Sequence, residues 1–280
     1  MSIVTILLSL PTNIFAFDFD TSDNSDKPDK GYLKDAYEVI ELRDESVKHF
    51  KLEDGSYVAV QYDTAVHYLD GNGRWQDIDN TLSSNGSEYS TSNARIKFAK
   101  KITGNGTLLT IHDSNHKITM SLDGAIKKTT GSIIDNNSMD GSTKLQKMLT
   151  LENLSARVLY KDILDGVDLE YIINSYDVKE NIIVKKKSTN YSYTFTIKLN
   201  NLNAVLDEKG QILLSDASSG TVEYIIPTPT AYDADGVYAD SSLLCYSLSD
   251  TGNGKYTLRV NVDTDWMNSC LLYTSPSPRD

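Results

Sequence analysis

RVLYKDILDGVDLEYIINSYDVKENIIVKKKSTNYSYTFTIKL, residues 157–199, decides the fold. Its last part alternates without a fault: Tyr191, Tyr193, Phe195, Ile197 and Leu199 are apolar, and Ser192, Thr194, Thr196 and Lys198 between them are polar. A period of two in aromatic and β-branched residues puts one set on a buried sheet face and the other in water, which a helix cannot do. Val167–Ile173 and Lys179–Val184 read as two further strands, and Asp165-Gly166 supplies a tight turn. Working outward, Gly55, Gly71, Gly73, Gly86, Gly106, Gly124, Gly141, Gly166, Gly236 and Gly254 each follow an Asp or Asn. Turns recurring between β-type runs predict an all-β, antiparallel sandwich with little helix. A short helix is expected only within Tyr37–Asp44.

The expected organisation is a secretory leader at 1–16, an acidic linker at 17–36, an N-terminal β lobe at 37–135, a C-terminal sandwich lobe at 143–268 and a non-native tail at 269–280. The leader reading rests on the apolar run and terminal Ala16 of MSIVTILLSLPTNIFA, too short for a membrane-spanning helix of ~20 residues, although no Lys or Arg precedes the run; a buried N-terminal strand is the alternative. The boundary falls at the polar segment NNSMDGS, residues 136–142. The tail CLLYTSPSPRD breaks with the preceding composition and reads as a translated sequencing adapter, so the natural protein is expected to continue. A net charge of −12 and the lack of a basic patch beyond Lys185, Lys186 and Lys187 argue against a nucleic-acid partner. Those three lysines read as a solvated segment.

Five groups of residues invite a chemical reading. Asp165-Gly166-Val167-Asp168-Leu169-Glu170 resembles the acidic strand of chitinase-type hydrolases, but Ile172 stands where the proton donor is needed, so Asp168 and Glu170 are expected to face solvent. Asp77 and Asp79 share a strand face and are also read as solvated. His112 and His116 have the spacing of a zinc pair, yet lie across a predicted turn, so their rings need not converge. Asp233, Asp235 and Asp240 form part of a calcium loop without its closing Glu. Tyr62, Tyr68 and Trp75 are the candidates for stacking on sugar rings. Cys245 is expected to be buried as a small hydrophobe. No catalytic residue, cofactor or metal is expected.

EVIELRDESVKHFKLEDGSYVAVQYDTAVHYLDGNGRWQDIDNTL, LEYIINSYDVKENIIVKK and KYTLRVNVDTDWM together resemble the N-terminal region of large secreted surface proteins of Gram-positive bacteria, which carry DNRLRE domains and Rhs repeats and are wall-associated. The similarity runs from about Val39 to Met267 and attaches no catalytic residue. It implies a non-catalytic extracellular β region with a scaffold or adhesion role, at the cell surface, with polysaccharide and further domains of the same protein as partners. A carbohydrate-binding module and a polysaccharide hydrolase using Asp168, Glu170 or Asp77 are the alternatives.

Overall fold

The computed structural model of the chain describes residues 2–8, 36–102, 106–113, 115–126, 128–134 and 153–270. All of the acidic linker but Ala36, and the segment at 136–142, therefore lie outside the described residues, as does nearly all of the tail. The strands begin with β1 (Ser2–Leu8), β2 (Tyr37–Glu38), β3 (Val47–Lys51), β4 (Tyr57–Gln61), β5 (His67–Leu69) and β6 (Trp75–Asp77). They continue as β7 (Ser83–Asn85), β8 (Glu88–Ser90), β9 (Ile96–Ala99), β10 (Thr107–Asp113), β11 (His116–Leu122) and β12 (Gly131–Ile134). After the gap come β13 (Ser155–Leu164), β14 (Val167–Asn174), β15 (Asp177–Val184), β16 (Ser192–Asn200) and β17 (Leu202–Leu206). The last are β18 (Ile212–Asp216), β19 (Val222–Ile226), β20 (Thr230–Tyr232), β21 (Leu244–Gly252) and β22 (Lys255–Val262), followed by helix α1 (Thr264–Cys270). A single 3₁₀ turn, Ile40–Leu42, falls where a short helix is expected.

The chain is nearly all-β, and its strands form antiparallel sheets, as the alternating pattern predicts. The two large sheets have the orders β12-β13-β14-β15-β1-β20 and β21-β22-β16-β11-β10-β9-β8-β7. One continuous core joins them, with Val158, Tyr160, Tyr171 and Ile182 from the first and Phe98, Leu109, Phe195 and Leu258 from the second. The three-stranded sheet β17-β18-β19 adds Ile212, Leu214, Tyr224 and Ile226 to that core. Trp266 of α1 packs against it as well. The sheets β2-β3-β4 and β5-β6 have small cores of their own, around Phe50 and around Val66, Ile78 and Leu154.

β16 sits between β11 and β22, and Tyr193, Phe195, Ile197 and Leu199 are buried along it while the residues between them are not. Each such side chain contributes about 1.5–3 kcal/mol when buried, so a slip by one residue would invert the whole set. The same pairing changes the reading of the organisation. β11, from before 136–142, pairs with β16, from after it, over Lys117↔Asn200 to Leu122↔Phe195. The expected boundary thus does not separate two cores, because strands from both sides share one sheet.

Two expectations are corrected. Asp168 and Glu170 do not face solvent: β14 is buried on both faces, with Asp168 at 9% and Glu170 at 5% exposure. β14 has no wet face, and partners replace water. Asp168 Oδ1 accepts from Asp162 N at 2.7 Å and from Lys185 Nζ at 2.6 Å. Glu170 accepts from Arg157 and, at 2.8 Å, from Asn181 Nδ2. Cys245 is exposed, not buried, because on β21 it falls between the inward Leu244 and Tyr246. Ser2–Leu8, read as the apolar run of a leader, is a strand inserted between β15 and β20.

Candidate functional site

The densest set of chemical groups lies where the small sheets meet. β2 brings Glu38, β3 Lys48, β5 His67 and β6 Asp77, and the loop after the 3₁₀ turn brings Arg43. Arg43 Nε donates to Glu38 Oε1 at 2.7 Å, and its Nη2 to Glu38 Oε2 at 3.1 Å and Asp77 Oδ2 at 3.0 Å. Lys48 Nζ donates to Asp77 Oδ1 at 2.9 Å. His67 has no exposed surface; its Nδ1–H donates to the carbonyl of Asp44 at 2.6 Å. That bond leaves Nε2 as the lone-pair nitrogen, 3.7 Å from Glu38 Oε1 and 3.6 Å from Asp77 Oδ1. Burial lowers the His67 pKa, with Arg43 and Lys48 adding to it, so the neutral ring is favoured. Burial would raise Asp77, but Lys48 and Arg43 outweigh it and hold that carboxylate ionised.

A histidine, two carboxylates and two cations are groups that take part in acid–base and electrostatic catalysis. Here, however, they satisfy one another. The Arg43 and Lys48 side chains are only 8% and 11% exposed, and Asp77, at 55%, is the one that a substrate can reach freely. As it stands the set is a closed charge network that clamps two small sheets together.

A second group joins β11 to β18. His116 Nε2 lies 2.9 Å from Asp216 Oδ2, and His116 Nδ1 lies 3.6 Å from Asp113 Oδ1. Tyr224 OH donates to Asp113 and meets the His116 ring edge-on, with centroids 6.4 Å apart. The contact with His116, then the hydroxyl and amide of Ser218, hold the pKa of Asp216 well below the usual carboxylate range. Beside these lies a cleft of about 100 Å³ lined by Tyr68, Asp79, Asn80, Asn93, Arg95 and Tyr176, with Arg95 5.6 Å from the Tyr176 ring centroid. Ligand pockets span ~300–1,000 Å³, so this cleft admits the edge of one ring at most.

The sequence candidates distribute as follows. Asp77 enters the charge network, whereas Asp79 lines the cleft and caps a turn through Thr81 N at 2.9 Å. His112 and His116 lie on paired strands but point apart: His112 is exposed, and His116 faces Asp216. Asp233 accepts from Asp235 N and Val237 N, both at 2.9 Å, while Asp240 accepts from Ser242 N at 2.9 Å. These carboxylates thus shape two separate turns. Among the described residues no three metal-ligating side chains gather at one point. Tyr62 and Tyr68 pack against the small core around Val66, and Trp75 lies over His67 at 6.5 Å. Burial, with Glu38 and Asp77 nearby, pushes the Tyr62 hydroxyl up to about 12.

No protein-family profile matches the chain, and no solved structure matches it. Three relatives do. The "tRNA3(Ser)-specific nuclease WapA" of Bacillus spizizenii is 27% identical over 250 residues, which cover 86% of this chain and 10% of the relative. The "tRNA nuclease WapA" of Bacillus subtilis strain 168 and the "tRNA(Glu)-specific nuclease WapA" of B. subtilis subsp. natto are each 26% identical over 240 residues, or 82% of this chain and 10% of theirs. The chain therefore spans about a tenth of the length of the relatives it matches. These names overturn three expectations: a non-catalytic scaffold, adhesion or sugar-binding role, the absence of enzymatic activity, and the exclusion of nucleic acid. A net charge of −12 describes 280 residues, and it does not constrain the partners of relatives of which such a segment spans a tenth.

Proposed function

We propose that this chain is a β-sandwich segment of a tRNA-cleaving nuclease that acts at or beyond the cell surface. The observation that carries the reading is its alignment, over more than four fifths of its length, with proteins named as tRNA nucleases. The cleavage chemistry is assigned to the whole protein. Relatives named for a serine and a glutamate tRNA match this segment at 27% and 26%, so we assign the choice of tRNA to the parts outside it. The resemblance to wall-associated DNRLRE and Rhs-repeat proteins supports the surface location. Among the described residues no helix is long and apolar enough to cross a membrane.

The test is direct. The longer protein encoded by the gene, purified and folded, is incubated with bulk tRNA, and the products are sequenced. Cleavage of one tRNA class is expected; intact tRNA overturns the reading. The 280-residue chain run beside it locates the chemistry. Cleavage by the chain itself, abolished by Asp77→Asn, would place the reaction at the charge network.

A further inference from the structure

The six-stranded sheet contains a position made for a strand that the sequence marks for removal. β15 pairs with β14 along one edge. Along the other it pairs with β1 without a register break, from Ser2↔Val184 to Leu8↔Val178. Among the described residues β20 reaches this sheet only through β1, at Ile3↔Tyr232, Val4↔Ala231 and Thr5↔Thr230. β1 is thus an interior strand, with a neighbour on each side.

Removing it would leave one full edge of β15 with unpaired backbone N–H and C=O groups and take from β20 its ladder in the sheet. Natural edges are blunted by bulges, prolines or outward charges. β15 has neither a bulge nor a proline along this edge, and of its charges only Asp177 and Lys179 are partly exposed; Val178, Ile182 and Val184 sit in the main core, and Glu180 and Asn181 are buried too. Ala231 of β20 joins the same core. This edge is built to be covered.

We propose that the gap between β15 and β20 is a strand-acceptor site for an extended, β-branched-rich segment antiparallel to β15. Its occupant is the chain's own Ser2–Leu8, which belongs to the folded sheet, and a chain deprived of that segment binds it in trans. Recognition uses the backbone ladder for affinity and alternate side chains for register.

Hydrogen exchange on the intact chain is the first test. Slow exchange of the amides of residues 3–7 together with those of β15 is expected; fast exchange at 3–7 with β15 still protected overturns the proposal. The second test uses residues 17–280 and a synthetic peptide of residues 2–8 carrying a lysine tail for solubility. One peptide should bind per chain, protect the β15 amides and raise the melting temperature, including from an unfolded starting state. A Thr5→Pro peptide, which lacks a ladder donor, should bind at least tenfold more weakly. A truncated chain that melts like the intact one, or that dimerises and ignores the peptide, overturns the assignment.

Discussion

At the scale of single residues, Glu180 and His67 set opposite pH dependences. Glu180 faces Tyr171 across the β14–β15 pair and is buried to 2% exposure. Burial pushes its pKa up to about 8, with the Tyr171 hydroxyl opposing. Because the folded value lies above the unfolded one, the folded state holds the extra proton between about 4.5 and about 8. Glu180's contribution is therefore complete below that window and lost as pH rises through it. His67 has a lowered folded pKa, so its contribution is present above ~6.5 and lost as pH falls. Between pH 7 and 8 only Glu180 of these two acts. Urea melts in that interval should show stability falling by up to ~1.4 kcal/mol per pH unit, and Glu180→Gln should flatten the slope. A slope unchanged in the variant would remove Glu180 as its source. Arg157 gives a second residue-scale prediction. It donates to Glu170, whose side chain is 7% exposed, so Arg157→Leu should destabilise by about 2–3 kcal/mol in chemical denaturation, since it strands a buried charge.

Among the elements, the hairpin of β21 and β22 depends on one glycine. Asn253 and Gly254 have φ of 57° and 68°, the left-handed pair that a two-residue turn needs. Gly254 also lies against Leu199, whose N–H donates to its carbonyl at 2.7 Å. A Cβ at Gly254 would collide with the Leu199 carbonyl oxygen. Gly254→Ala should therefore cost about 1–2 kcal/mol from the backbone alone, plus the displacement of β16. Thermal melts of the two proteins check this, and an unchanged midpoint would show that the turn relaxes freely. Elements of this kind were legible in the sequence: the alternation of β16, the strands β14 and β15, and the Asn-Gly corner all form where the pattern puts them. What could not be read was which strands lie at the centre. Alternation assumes one wet face, and β14 has none, so Asp168 and Glu170 were misplaced. The charge network was illegible for another reason. Glu38, Arg43, Lys48, His67 and Asp77 come from five separate segments, and only Asp77 carried a signal in the one-dimensional pattern.

Across the whole molecule, the interleaving of early and late strands determines how the protein can be divided. β9, β10 and β11 contribute Ile96, Phe98, Leu109, Ile111, Ile118 and Met120 to the same core as Phe195, Ile197, Leu258 and Val260 from β16 and β22. A fragment of residues 37–135 would keep the first set without its cover and expose β11 along its entire β16 edge. Covalent continuity through 136–142 matters far less than that interface, because cutting a connection changes only chain entropy, which varies slowly with length. Two outcomes are expected. A protease site placed at 136–142 and cut should leave the halves co-eluting in one native peak and melting together with the intact protein's main transition. The 37–135 fragment expressed alone should be unfolded or aggregated by circular dichroism and size exclusion. A fragment that folded independently, or halves that separated after the cut, would restore the two-lobe division drawn from the sequence.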